Sequence, residues 1–124
     1  MTTSCPFCSL PENAVLGGNE LAAFFEDKFP VSPGHTLIIP RRHVAHYFEA
    51  TPEEKQALWE LVEVAKSRLD QTRAPGGYNI GINVGAVAGQ TVMHLHVHVI
   101  PRYQGDMVDP RGGVRHVIPE KGKY

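Results

Sequence analysis

The run His94-Leu95-His96-Val97-His98 alternates imidazole with aliphatic side chains. Successive side chains of an extended strand point to opposite faces, so the run predicts a strand with three histidines on one face and aliphatic residues on the core face. Folding alone would be satisfied by any polar residue at the even positions. We therefore interpret the three histidines as groups that carry chemistry.

A metal site is the main alternative interpretation of this run. Histidines two residues apart on a strand lie about 6 to 7 Å apart, and the outer two lie about 13 Å apart. A zinc ion holds nitrogen ligands at about 2.0 to 2.1 Å, so one ion can take one or two of these rings and hardly all three. At least one ring is left for another role.

Length and composition predict a single domain over residues 1–124. The chain is 42% hydrophobic, which suffices for a core without disulfide support. A net charge of −1 gives no field that would hold a nucleic-acid polymer. The sequence has neither an apolar run of membrane-spanning length nor a signal-peptide pattern, so we expect a cytoplasmic protein with no membrane partner.

Four further segments have the composition of strands and are bounded by glycine or proline turns. They are residues 14–16, 21–26, 35–39 and 78–84. The first turn is predicted at Gly17-Gly18-Asn19. The sequence does not predict regular structure for the C-terminal tail, residues 103–124.

One long helix is predicted to begin after Thr51, with Pro52 at its first position and Glu54 completing a capping box. Apolar residues then recur at helical spacing. They are Leu58, Leu61, Val62, Ala65 and Leu69. Because strands outnumber helices and follow one another as hairpins, the sequence predicts an α+β fold in which one antiparallel sheet carries a helix on one face.

Residues 94–100, His94-Leu95-His96-Val97-His98-Val99-Ile100, resemble the His-φ-His-φ-His-φ-φ motif (φ apolar) of the histidine triad superfamily of nucleotide hydrolases and transferases. The resemblance extends to residues 89–92 and 33–40, and so covers nearly the whole chain. It implies a five-stranded antiparallel sheet with one long and one short helix. It also implies a homodimer in which two sheets join into one of ten strands.

The same resemblance implies roles for four histidines. The middle one, here His96, attacks the α-phosphorus of a nucleotide, and water then hydrolyses the nucleotidyl-histidine intermediate to a nucleoside monophosphate. His98 contacts the phosphate and the leaving group, while His94 and His35 orient the ring of the nucleophile. A neutral imidazole suits this task because it needs no prior deprotonation near pH 7.

The resemblance further implies a nucleotide site. The loop Gly89-Gln90-Thr91 corresponds to the phosphate-binding loop of the family, where glycine lets backbone N–H groups approach anionic oxygens and a hydroxyl adds a donor. Asp27 and Asn83 correspond to residues that hold the ribose or the phosphate. Phe25 and Leu37 are candidate walls of a base pocket, although core packing accounts for them equally well.

Cys5 and Cys8, the only cysteines, form a Cys-Pro-Phe-Cys unit that suits metal binding or redox chemistry, and no βαβ context supports a thioredoxin-like role. Many bacterial members that this chain resembles hold a structural zinc through two such cysteines, a later histidine and the first histidine of the triad. This resemblance implies a zinc site within residues 1–10 together with His43 and His94. His46 is an alternative to His43, and free thiols are an alternative to zinc.

The leading hypothesis is therefore a nucleotide hydrolase that releases a nucleoside monophosphate from a purine dinucleoside polyphosphate or phosphoramidate, without an organic cofactor. Ile100-Pro101-Arg102 and the Gly-Asp pair in the tail look closer to the dinucleoside polyphosphate hydrolase branch. The alternatives are a nucleotidyltransferase or phosphorylase, a nucleotide-binding sensor with little turnover, and a histidine-ligated metalloenzyme.

Overall fold

A computed structural model describes residues 5–124, so the first four residues of the predicted zinc-binding segment lie outside the described residues. Within that range, five strands form one antiparallel sheet. They are β1 (Val15–Gly18), β2 (Ala22–Glu26), β3 (Thr36–Pro40), β4 (Gly77–Gly81) and β5 (Val97–Arg102). The spatial order is β1-β2-β3-β5-β4, and helix α1 (Pro52–Thr72) connects β3 to β4. The predicted α+β class and the antiparallel sheet are confirmed.

The start of α1 is fixed by the predicted capping box. Thr51 Oγ1 accepts from the N–H of Glu54 at 3.0 Å, and the Glu54 carboxylate accepts from the N–H of Thr51 at 2.9 Å. The same carboxylate accepts two hydrogen bonds from the Arg42 guanidinium, at 2.8 and 2.9 Å. The bonds from Arg42, and then that from Thr51, hold the pKa of Glu54 at about 2 despite its burial. The helix start is thus tied to the segment that follows β3.

Helix α1 packs its apolar stripe against one face of the sheet. All five predicted stripe residues are buried, together with three aliphatic residues of the histidine run: Leu95, Val97 and Val99. Among residues 5–124, α1 is the only α-helix, and the second, short helix of the expected fold takes the form of 3-10 turns such as Tyr47–Glu49. No helix in this range has both the length and the apolar character needed to cross a membrane.

The triad strand begins later than predicted. β5 starts at Val97, opposite Ile38 of β3, and the segment 94–96 precedes it. Continuing the ladder would place Leu95 opposite Pro40, which has no N–H to donate. The N–H of Leu95 instead donates to the carbonyl oxygen of Val44 at 2.7 Å. The alternation of side chains persists, with Leu95 in the helix-side core and His94 and His96 on the other face.

Two other predicted boundaries are wrong. β1 runs through both glycines to Gly18, so the turn follows it and is made by Asn19, whose Oδ1 accepts from the N–H groups of Leu21 and Ala22 at 3.1 and 2.9 Å. β4 ends at Gly81 rather than at residue 84, because Gly81 pairs with His98 and its partner strand begins only one residue before that histidine.

The sheet face opposite α1 has a small core of its own. Phe25, Leu37 and Ile39 are buried there, and Phe7 and Leu10 of the N-terminal segment pack over them. The histidine face is therefore covered in part and is not open to solvent. In the tail, which adds two 3-10 turns at Gly113–Val117 and Pro119–Lys121, the hydroxyl of Tyr103 donates to the carbonyl oxygen of Pro33 at 2.5 Å.

Candidate functional site

Strand pairing places His98 in a row of residues that crosses the sheet. Phe25 pairs with Leu37, Leu37 with His98, and His98 with Gly81. Phe25 and Leu37 are 4% and 3% exposed, so they form the floor beside His98 rather than an open wall. Gly81 brings no side chain, and a Cβ built there would meet no atom within 4 Å, so the row stays open on that side of His98.

The imidazole of His96 is held by the main chain of its own segment. Its Nδ1 lies 2.8 Å from the carbonyl oxygen of His94. A carbonyl oxygen only accepts, so Nδ1 carries the proton and Nε2 of the neutral ring keeps a free lone pair. The ring is 8% exposed and lies between Phe7 and His98, with ring centroids 5.1 and 5.0 Å away.

His35 and His98 form a short chain of hydrogen bonds whose direction is fixed by the backbone. The N–H of Val31 donates to Nδ1 of His35 at 3.0 Å, so neutral His35 carries its proton on Nε2. That nitrogen lies 3.0 Å from Nδ1 of His98, which must accept. His98 is thereby left with its own proton on Nε2. Burial, and then the charges of His96 and His35, lower the pKa of His98 to about 4, so at neutral pH it is an uncharged donor.

The contacts of His35 and His94 differ from those implied by the family resemblance. The 3.0 Å partner of His35 is His98, and burial lowers the pKa of His35. His94 contacts His96 through its carbonyl oxygen, whereas its own ring turns toward the cysteines. The first histidine thus reaches the middle one through the main chain.

Asp27 follows β2 directly and lies beside the same chain of histidines. Its Oδ1 accepts from the N–H of Phe29 at 2.9 Å, and its Oδ2 lies 3.6 Å from Nε2 of His35. Asp27, His35 and His98 bring their donor atoms within 4.8 Å of one another. A metal bound to Nε2 of His35 would move the ring proton to Nδ1, where it would face the N–H of Val31 and replace a hydrogen bond by a clash of two donors. This trio therefore does not suit a metal ion.

A second cluster contains the four residues implied as zinc ligands: Cys5, Cys8, His43 and His94. Their donor atoms lie within 4.8 Å of one another. Nδ1 of His94 is 3.5 and 3.6 Å from the two sulfurs, and Nδ1 of His43 is 3.2 Å from the sulfur of Cys8. Zinc–ligand lengths of about 2.3 Å to sulfur and 2.0 to 2.1 Å to nitrogen give a tetrahedral S···N edge of about 3.6 Å. These spacings fit one tetrahedral ion.

The tautomer of His94 also fits metal binding. Its Nε2 lies 2.9 Å from the carbonyl oxygen of Pro40, which fixes the proton on that nitrogen and leaves Nδ1 with a lone pair toward the thiols. The alternative ligand, His46, lies outside the cluster, with Nδ1 at 4.0 Å from a Glu49 carboxylate oxygen. Cys5 and Cys8 are not joined by a disulfide.

The loop at residues 85–91 is held in shape by the side chain of Gln90, which is 3% exposed. Its Oε1 accepts from the N–H of Gly85 at 2.9 Å, and its Nε2 donates to the carbonyl oxygens of Ala45 and Val92 at 2.8 and 3.0 Å. The N–H groups of Gly89 and Gln90 also donate within the loop. Gly89 has a φ of 98°, which favours glycine.

The other two residues predicted to contact the nucleotide, Thr91 and Asn83, lie at the end of the loop 85–91 and beyond the end of β4. Thr91 is exposed at the end of the loop. Asn83 is partly buried two residues beyond the end of β4, because that strand is shorter than predicted. Phe7, whose ring contacts His96, was not predicted as a site residue, although its position between the two cysteines was a visible clue.

The comparisons with known proteins agree with this geometry. A family model described as HIT domain matches residues 11–105. The chain belongs to the HIT family. The matched span contains all four histidines of the candidate site, whereas Cys5 and Cys8 precede it.

Named HIT relatives include two enzymes of dinucleoside polyphosphates. A HIT-like protein of Mycoplasma genitalium is 39% identical over 107 residues, which are 83% of this chain and 76% of that protein. Bis(5'-nucleosyl)-tetraphosphatase (asymmetrical) of Schizosaccharomyces pombe is 40% identical over 70% of this chain and 48% of its own length. The AP-4-A phosphorylase of Mycobacterium tuberculosis is 33% identical over 95% of this chain and 62% of its own length.

Solved structures show the same fold. A HIT family protein from Bacillus anthracis superposes with a TM-score of 0.78 at 33% identity, covering 86% of this chain and 78% of that one. A Zn-bound histidine triad family protein from Mycobacterium smegmatis gives a TM-score of 0.76 at 31% identity, covering 86% of this chain and 80% of that one. That neighbour is zinc-bound, and in this chain Cys5, Cys8, His43 and His94, which we call the thiol–imidazole cluster, bring together the donor atoms of a metal site.

Proposed function

We propose that this HIT protein hydrolyses nucleotides at the α-phosphate through a nucleotidyl intermediate on His96, and that its substrate is a dinucleoside polyphosphate or a nucleoside phosphoramidate. The observation that carries the proposal is the 2.8 Å contact between Nδ1 of His96 and the carbonyl oxygen of His94. It reserves the lone pair of Nε2 for attack on phosphorus. The tetraphosphatase and phosphorylase among the relatives support this substrate class.

In the first step, Nε2 of His96 forms a bond to the α-phosphorus, and the bond from phosphorus to the leaving oxygen or nitrogen breaks with its electron pair on the leaving atom. A polyphosphate leaves as an anion, and an amine takes up a proton from water as it leaves. The ring becomes positive, and its Nδ1–H bond to the His94 carbonyl strengthens with that charge. In the second step, water attacks the phosphorus, the P–N bond breaks and its electron pair returns to Nε2. The proton of the water leaves with the phosphate or to solvent, and the nucleoside monophosphate is released.

His98 would act as a neutral donor in both steps. The chain from Val31 through His35 leaves its Nε2–H for a phosphoryl oxygen or the leaving group. A fixed donor aimed at developing negative charge lowers the barrier of phosphoryl transfer. In this role His35 acts through His98, and His94 acts through its carbonyl oxygen.

The remaining nucleotide contacts are assigned to residues around this centre. We assign the ribose to Asp27 and Asn83, and the phosphates to the hydroxyl of Thr91 on the loop that Gly89 and Gln90 shape. We assign the base to the side of the sheet that holds Phe25 and Leu37, beside His98, where Phe7 and Leu10 already cover part of these two residues. Each assignment rests on the position of the residue near the histidine row or the adjoining loop.

Zinc is the metal that we assign to Cys5, Cys8, His43 and His94. When bound, it would cross-link the N-terminal segment to the triad segment, as closed tetrahedral zinc sites do. The proposed reaction uses only groups of the chain, water and substrate. Unbridged thiols beside two histidines also suit a reducing compartment, and we therefore propose a cytoplasmic location.

A homodimer is the assembly that we propose. β4 lies at one edge of the sheet, so its outer backbone groups are available to a second copy of the strand. Antiparallel pairing of two such edges would produce a ten-stranded sheet. Sedimentation of the purified chain tests this directly, with a mass twice that of the monomer expected.

A phosphorylase is the second candidate function, because the AP-4-A phosphorylase relative matches 95% of this chain. The two reactions are separated by supplying diadenosine tetraphosphate with and without inorganic phosphate. A hydrolase gives AMP and ATP in both mixtures, whereas a phosphorylase gives ADP and ATP only when phosphate is present. An adenosine phosphoramidate tests the other substrate class. Failure on both substrates, under either condition, would reject the proposed function.

A further inference from the structure

Phe7 lies between the two cysteines in sequence and against three rings in space. Its ring is 5.1 Å from that of His96, 5.3 Å from that of Phe25 and 5.9 Å from that of His94, measured between centroids. The interplanar angles of 82°, 65° and 71° are edge-to-face arrangements, which aromatic pairs favour. Phe7 therefore belongs to the N-terminal segment by sequence and to the surroundings of His96 by contact.

The His96 ring needs a second restraint beyond its hydrogen bond. One bond from Nδ1 to the His94 carbonyl fixes one atom of the ring, but rotation about the Cβ–Cγ bond would exchange the positions of Nδ1 and Cδ2. The edge-to-face contact with Phe7 opposes that rotation on one side, and His98 opposes it on another. A ring held from several directions keeps Nε2 in a single orientation.

The position of Phe7 is in turn set by the two cysteines that flank it, Cys5 and Cys8. The sulfurs of Cys5 and Cys8 converge on Nδ1 of His94, and the N–H of Cys8 lies 3.4 Å from the sulfur of Cys5. These contacts bend the segment 5–8 into a turn whose apolar side chain faces the sheet. Phe7 thus links the thiol–imidazole cluster to His96 by a route separate from the main chain of His94.

We propose that Phe7 is a positioning residue that holds the His96 ring in its reactive orientation. Its effect on rate rests on the proposed function, whereas its effect on the ring does not. Losing Phe7 leaves the fold and the four cluster ligands in place, but it frees the ring to sample orientations in which Nε2 no longer faces the substrate. Turnover then falls while substrate binding changes little.

The test uses the full chain with labelled histidine, supplied with zinc, and reads the ring nitrogens by two-bond ¹H–¹⁵N NMR. Phe7→Ala is compared with wild type, with Phe7→Tyr, which keeps the ring, and with Phe48→Ala, which removes a phenylalanine that is 75% exposed. Bound zinc is measured in every sample, and kcat and KM are measured with diadenosine tetraphosphate.

We expect His96 to carry its proton on Nδ1 in wild type, Phe7→Tyr and Phe48→Ala, and to show averaged nitrogen shifts in Phe7→Ala with zinc still bound. We expect kcat of Phe7→Ala to fall about 10-fold with KM changed less than about 2-fold, the pattern of a misoriented reacting group. Wild-type nitrogen shifts in Phe7→Ala would overturn the proposal, as would loss of zinc from that variant with the metal in excess. If no variant turns over any substrate, the proposed function fails, and the NMR comparison still decides the role of Phe7.

Discussion

The carbonyl oxygen of His94 lies 2.8 Å from Nδ1 of His96, while the ring of His94 faces the sulfurs of Cys5 and Cys8. One residue therefore serves two sites through two different groups. Its main chain orients the neighbouring imidazole, and its side chain completes a tetrahedral donor set. A substitution in the thiol–imidazole cluster can therefore alter the orientation of the His96 ring through His94, although no cluster side chain contacts the substrate.

Histidine substitutions separate the metal ligand from its alternative. His43→Ala is expected to lose bound zinc, because it removes one of four donors, whereas His46→Ala should keep it, since His46 lies outside the cluster. Metal content by atomic emission after gel filtration measures both. Loss of zinc from His46→Ala with retention in His43→Ala would contradict the cluster. Thermal unfolding of His43→Ala should also begin at a lower temperature, as expected when a structural metal is absent.

Glu54→Gln is expected to lower the free energy of unfolding by about 2 kcal/mol at pH 7. The pKa of Glu54 falls from its ordinary value to about 2, and the resulting gain is discounted because Arg42 is 54% exposed. A carboxyl group whose pKa is lower in the folded than in the unfolded state stabilises the fold at pH values above the unfolded pKa. For Glu54 that stabilisation is lost as the pH falls from about 4.5 to about 2.

Urea denaturation at several pH values checks the prediction for Glu54. The difference between wild type and Glu54→Gln should shrink across that acid range. Glu53→Gln, which changes an exposed neighbour, should match wild type throughout. Equal unfolding free energies for wild type and Glu54→Gln at pH 7 would contradict the role of the Arg42 ion pair.

The lowered pKa of His98 predicts a separate loss of stability at milder acidity. Its folded pKa of about 4 lies below the ordinary 6.5, so the unfolded chain binds more protons between these values and stability falls as the pH is lowered through that window. By pH 5, protonation of His98 in the unfolded chain has lowered the free energy of unfolding by about 2 kcal/mol. Between pH 7 and pH 5, His98→Asn should lose less stability than wild type. If the unfolding free energies of wild type and His98→Asn changed in parallel with pH, the lowered pKa of His98 would be refuted.

The aliphatic positions of the triad run should tolerate no charge. Val97 is 0% exposed in the core beneath α1, so Val97→Asp would bury an unpaired carboxylate and should prevent folding. Val87, on the exposed loop before the triad, is the matched control, and Val87→Asp should fold normally. Far-UV circular dichroism and solubility distinguish the two. A folded Val97→Asp would show that the alternation has been assigned to the wrong faces.

The fold was predictable from sequence wherever the local pattern and the tertiary packing agree. The stripe from Leu58 to Leu69 and the aliphatic half of the triad run each specify one buried face, and the structure buries both. The capping box at Thr51 specifies the start of the helix, and both of its hydrogen bonds form. The start of β5 was not predictable in this way. It depends on Pro40 of β3, a residue far away in the chain whose missing N–H ends the ladder.

The candidate site shows the same division. Sequence and resemblance selected the histidines, but their tautomers depend on backbone groups whose positions a pattern of side chains does not specify: the N–H of Val31 and the carbonyl oxygens of His94 and Pro40. The pairing of His35 with His98 likewise follows from strand register, which places β3 directly beside β5. Phe7 was overlooked because a phenylalanine near the N-terminus has no periodic neighbours to indicate what it covers.

The most direct test of the whole account is to trap the covalent intermediate. Wild-type protein mixed with diadenosine tetraphosphate is quenched in alkali within milliseconds, digested under conditions that preserve P–N bonds, and analysed by mass spectrometry. We expect an adenylyl group on His96 that appears together with ATP and before AMP, and that is absent from His96→Asn, which should still bind the nucleotide. An adenylyl group on another residue, or turnover in His96→Asn at the wild-type rate, would contradict the account.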